Sequence, residues 1–168
     1  MDAYLSIPVL AVAVIIQSTV MPEIRLGGAM PDLVYLLVLA WSLLAGFERG
    51  VTWALVGGVL QDLVSSLPLG TTALSLVLLT FVLSLLVGQV NPRNLIYPAV
   101  IAAGGTVVLH GVTLLVLGIA GQALPFLDTL TYVTLPSLVY NLIVMIPLYR
   151  VLGGFYLSSR PRRISDIR

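Results

Sequence analysis

Apolar segments of membrane-spanning length, separated by short polar breaks, fill residues 4–152 and decide what this chain can fold into. Only 9% of its 168 residues are charged and 59% are hydrophobic, whereas a soluble domain carries about 25% charged residues. Such a chain cannot cover a water-facing surface, so it reads as an all-α integral membrane protein. Each span needs roughly 20 apolar residues. The breaks place six transmembrane helices at about 4–21, 31–47, 51–65, 71–88, 95–119 and 129–152. They leave no room for a separate soluble domain, so one compact bundle is expected, followed by a basic tail at 156–168. Pro31 suits a first helical turn, and Asp32 beside it sits where a helix dipole favours a carboxylate. Pro136 and Pro147 are expected to kink the last span. The N-terminus lacks the basic region and cleavage site of a signal peptide, so the first helix is expected to remain in the mature protein.

The arginines orient the spans. With six crossings, Arg49, Arg93, Arg150, Arg160, Arg162, Arg163 and Arg168 fall on one side, and Arg25 alone on the other. Positive charge accumulates on cytoplasmic loops, which predicts cytoplasmic termini. The third span is the weakest. Without it Arg49 would lie opposite the tail and the asymmetry would fade.

Charges inside apolar segments are rare and costly, so each marks a candidate site. The stretch at 57–70, GGVLQDLVSSLPLG, holds Gln61 and Asp62 between two glycines and a Pro-Leu-Gly turn. By helical rise Asp62 lies roughly 20 Å from the cytoplasmic start of its span, in the outer third of the bilayer. Gln17, Arg25 and Asp32 reach a similar level, so a polar cluster of Gln17, Arg25, Asp32, Gln61 and Asp62 is expected at the outer face. Two readings follow. The residues satisfy one another, tying the first three helices together, because buried charges are usually paired; or they bind a ligand or a partner group. His110 and Asn141 lie near mid-depth in the fifth and sixth spans and suit interhelical hydrogen bonds.

Small residues recur at helical spacing. Gly50, Ala54 and Gly58, with Gly57 close by, line the third span, and Pro68 and Gly70 make the turn after it. Such faces let backbones approach closely, either within the bundle or against a partner's helix.

Chemistry finds little support. The absence of cysteine excludes disulfides, iron–sulfur ligation and thiol catalysis, and a single histidine excludes a His-rich metal site. No Gly-x-Ser-x-Gly, His-Glu-x-x-His, phosphate loop or dinucleotide fingerprint is present. A triad of Asp62, Ser65 or Ser66 and His110 would need His110 several turns nearer the outer face. No enzyme activity, cofactor, metal or nucleic-acid partner is expected. Arginines in the tail suit contact with anionic lipids.

Met30-Pro31-Asp32-Leu33, then 57–63 (GGVLQDL) and 67–74 (LPLGTTAL), resemble the rod shape-determining protein MreD family of bacteria. The resemblance implies a non-enzymatic scaffold or regulator of cell elongation in the inner membrane. It implies binding to MreC and, through it, links to MreB and the RodA–transpeptidase peptidoglycan synthase. It also implies a fold similar to the six-helix substrate-binding subunits of energy-coupling-factor vitamin transporters. The alternative reading of the same span count and polar cluster is a small-molecule binding subunit of a transporter.

Overall fold

A computed structural model describes residues 2–24, 29–87, 90–91, 93–121 and 128–158. Six α-helices make it up: α1 (Asp2–Thr19), α2 (Leu33–Ala45), α3 (Phe47–Val64), α4 (Thr71–Leu86), α5 (Ile96–Ile119) and α6 (Leu135–Ser158). A 3₁₀ turn at Met21–Ile24 follows α1, and a π-helical turn at Thr129–Thr134 leads into α6. There is no β-strand among the described residues. The wide π turn absorbs Pro136, whose ring cannot donate to the Tyr132 carbonyl and would otherwise clash with it. Pro147 lies inside α6. The last helix runs to Ser158, beyond the 152 expected from hydropathy, and the arginines of the tail lie outside the described residues.

Among the described residues, three segments are long and apolar enough to cross a membrane: Ser6–Glu23, Ile96–Ile119 and Thr129–Ser158. The others are shorter or more polar. α2 has 13 residues, about 20 Å at 1.5 Å per residue, against a hydrocarbon core of about 30 Å. α4 has 16 residues. α3 has 18 but carries Glu48, Arg49 and Asp62.

The short α2 is the hub. Every residue from Val34 to Leu44 except Trp41 is buried. The other helices pack around it in the order α1, α3, α4, α5, α6, each touching its neighbour in that arc and each touching α2. A helix apolar on all sides belongs in such a position. Its leucines and valines join Leu10, Val14, Leu76, Leu79, Leu109, Met145 and Tyr149 in one core.

Glycines set the closest approaches. A Cβ on Gly50 would overlap Ser42 of α2, and one on Gly58 would overlap the Ala73 backbone of α4. One on Gly57 would stand 3.0 Å from Val34 and 3.4 Å from Leu10. Ala54 is fully buried. The small residues of α3 therefore meet their own bundle, α2 through Gly50 and Gly57, α1 also through Gly57, and α4 through Gly58.

The two ends of the bundle differ. At one, the start of α3 meets the end of α2, Leu43 accepts from Val90 N at 2.9 Å, and Tyr149 donates to the Val90 carbonyl at 3.1 Å. Trp41 stacks on Trp53 with centroids 4.8 Å apart and meets Tyr156 edge-on at 6.1 Å. Arg49, Arg93 and Arg150 belong to this end by their places in the chain. The opposite end, where α2, α4 and the π turn begin, collects the polar side chains.

Candidate functional site: two capped helix starts

A helix leaves its first four N–H groups without intrahelical partners. In a membrane interior no water takes them, so other parts of the protein must. Two aspartates do this at the polar end, in different ways.

Asp32 is the N-cap of its own helix. It is half-buried in extended backbone geometry, and its Oδ1 accepts from Tyr35 N at 3.0 Å. Helix α2 thus starts at Leu33, two residues after the Pro31 start suggested by the sequence. The same Oδ1 accepts from Gln17 Nε2 at 3.1 Å, and Gln17 Oε1 accepts from Val34 N at 3.0 Å. One amide of α1 therefore serves both the cap and a second orphan N–H. The Asp32 N–H donates to Asn141 Oδ1 at 2.9 Å, and Asn141 Nδ2 donates to Thr106 Oγ1 at 3.0 Å. Thr106 donates to the Ala102 carbonyl at 2.7 Å, which also accepts from Tyr35 OH at 2.7 Å. Gly105 makes room for that phenol, since a Cβ there would overlap the hydroxyl. The network joins α1, α2, α5 and α6.

Asp62 caps a different helix. It is 3% exposed at the end of α3. Its Oδ2 accepts from Gly70 N at 2.9 Å and Ala73 N at 3.1 Å, and its Oδ1 accepts from Thr72 N at 2.9 Å. Thr71 N bonds to the Pro68 carbonyl at 3.1 Å, and Leu74 N to the Gly70 carbonyl at 2.9 Å. Every N–H of the first turn of α4 is satisfied, and the carboxylate lies where the helix dipole favours a negative charge. Gly70 takes φ 93, a left-handed conformation that glycine adopts without a Cβ penalty. Pro68 and Gly70 thus shape the loop that brings three N–H groups onto one carboxylate.

The expected five-residue cluster divides. Gln17 and Asp32 meet, and Asn141 joins them from α6. Asp62 turns to α4 instead, because the 67–70 turn brings that helix start within its reach. Arg25 lies outside the described residues. The Gln61 side chain forms no hydrogen bond among the described residues, and its Oε1 is buried without a partner. His110 and Asn141 each bond across helices but not to one another: His110 Nδ1 lies 2.9 Å from Thr134 Oγ1 in the π turn. Ser75 and Thr113, 3.2 Å apart, join α4 to α5. Tyr35 and Thr106 were not singled out in the sequence, although a tyrosine in the first turn of a leucine-rich helix is a signal for a buried hydroxyl that needs an acceptor.

This arrangement holds helices together. Both Asp62 oxygens are occupied by backbone N–H groups, and Ser65 Oγ donates to the Asp62 carbonyl at 3.4 Å. The Asp62–serine–His110 triad is therefore not assembled. No group of three His, Asp or Glu suited to a metal occurs among the described residues. Two cavities have volumes of about 150 and 160 Å³, below the roughly 300 Å³ at which small-molecule pockets begin.

Fold and site together define an α-helical membrane protein whose polar side chains fasten one helix to another. The chain belongs to the family of the rod shape-determining protein MreD, whose family model matches residues 2–158. That family acts in determining rod shape and is not a known enzyme family. No curated protein and no solved structure matches the chain.

Proposed function

We propose that this protein is a membrane scaffold of the cell-elongation machinery, binding the transmembrane region of MreC in the inner membrane. Through MreC it connects to MreB and the RodA–transpeptidase synthase. The observation that carries this reading is the internal use of the buried polar side chains. Gln17, Asp32, Asn141 and Asp62 all use their side chains within the bundle, so the molecule offers its surroundings helix faces. The exposed side chains Ile15, Leu63, Leu85, Val100, Leu115 and Ile143 come from five of the six helices. Family membership supports the same reading.

In this proposal all six helices cross the bilayer, with both termini cytoplasmic and the basic tail on anionic lipid. The assignment of Arg49, Arg93 and Arg150 to one end of the bundle supports that orientation, because such an end belongs on the cytoplasmic side. Cysteine accessibility should place Arg49 and Arg93 substitutions on the same side; opposite sides would sink the topology. The second reading is a vitamin-type binding subunit, and the two cavities described are each smaller than such a ligand needs. The main test is co-purification with MreC in mild detergent, both proteins being well expressed. Retention is expected, and its absence would overturn the scaffold reading.

A further inference from the structure

Gln17 and Gln61 line the same cavity of about 160 Å³ between the ends of α1 and α3. Their amides have opposite fates. Gln17 is 7% exposed, and both its amide atoms are bonded, to Asp32 and to Val34 N. The Gln61 amide has no hydrogen bond among the described residues, and its oxygen is buried without a donor. A polar group left unpartnered away from water is costly, and in a membrane the remedy is a partner from another helix. No described side chain provides one. Ser18 Oγ donates to the Ile15 carbonyl, and Ser65 Oγ to the Asp62 carbonyl. The groove is walled by Val14, Ser18, Met30 and Val64, with Ser18 and Val64 exposed. Its volume is about half the lower bound for a free small-molecule pocket, so it has room for a side chain.

We infer that the α1–α3 groove is a docking site for a transmembrane helix of a partner chain, with Gln61 giving and accepting hydrogen bonds to an amide or hydroxyl side chain on that helix. The inference rests on the scaffold reading and specifies the face it uses. The complementarity lies in the amide itself, which presents one donor group and one acceptor in an otherwise apolar wall. A hydrocarbon tail can answer neither.

The test uses the full chain co-expressed with MreC. A photocrosslinking residue is placed at Ser18 or Val64 in the groove, or at Val108 on α5 as the control. Crosslinks to MreC are expected from the groove positions and not from Val108. Gln61→Leu removes no internal hydrogen bond, so its melting in detergent should equal that of the unaltered chain. Its retention of MreC should fall roughly three- to thirtyfold, the range an interhelical hydrogen bond in membranes supports. Retention of MreC with crosslinking only from Val108, lipid adducts alone from the groove, or undiminished binding by Gln61→Leu would each overturn the inference while the scaffold reading stands. If the unaltered chain does not retain MreC, both fall.

Discussion

Asp32 and Asp62 meet the same need, the orphan N–H groups of a helix start, by different routes. Asp32 caps the helix it precedes, accepting from an N–H three residues on, and does so with a single oxygen. Asp62 reaches across a turn to a helix that begins nine residues later, and uses both oxygens on three N–H groups. Asp32 is reinforced from outside its helix by Gln17 and Asn141. Asp62 works alone and is more deeply buried. A capping requirement that two amides help to meet at α2 rests on one side chain at α4, so α4 should be the more sensitive to a single change.

The largest effect is expected from Asp62→Ala, which leaves three N–H groups without acceptors. At about 1–3 kcal/mol for a buried unsatisfied group, a loss of about 3 kcal/mol or more is expected in reversible unfolding in detergent. A loss no greater than that of Asp32→Ala would break the contrast. Gly58→Ala comes next. Its methyl would meet the Ala73 backbone, pushing α4 from the carboxylate, with a cost of about 1–3 kcal/mol as for other overpacked contacts. Thermal melting checks it, and Gly57→Ala, which meets only side chains, should cost less.

A sharper comparison uses asparagine at both positions. Asp32→Asn keeps the one oxygen that accepts both side-chain-directed bonds and should cost a few tenths of a kcal/mol, as good N-caps differ little. Asp62→Asn puts an NH₂ group where a second acceptor is needed and should cost about 1–2 kcal/mol. Equal losses would show that charge, not the number of acceptors, governs both sites. Asn141→Leu should fall between the two asparagine changes, at about 1 kcal/mol in the range of interhelical bonds in membranes. Its melting should show α6 loosening while the Asp62 cap survives, which hydrogen exchange at Thr72 and Ala73 would report.

Much of this was legible in the residues. The near absence of charge pointed to apolar helices, and the six α-helices follow the order the polar breaks set, the last running six residues past its expected end. The motif block at 57–74 carried the family. Asp32 at a helix start follows from the proline before it and the apolar run after it, though hydropathy alone set that start two residues early. The polar partners were less legible. Gln17, Asp32 and Asp62 were expected at one level of the bundle, and the depth of each follows from counting residues along a helix. Which carboxylate meets which donor depends on rotation about the helix axis, and here the sequence is nearly silent. A helix in water shows its buried face by an apolar stripe. A helix in lipid is apolar on both its buried and its exposed faces.

The sequence by itself therefore determined the helical class, the order of the segments and the family. The packing of α3 against α1, α2 and α4 decided the rest. It turned Asp62 onto the α4 start, drew Gln17 inward to Asp32, and left Gln61, one residue before Asp62, facing a groove. Adjacent residues on a helix are separated by about 100°, since 3.6 residues complete a turn. Two polar neighbours in the chain can therefore serve different faces, one locking the bundle and the other open to a partner.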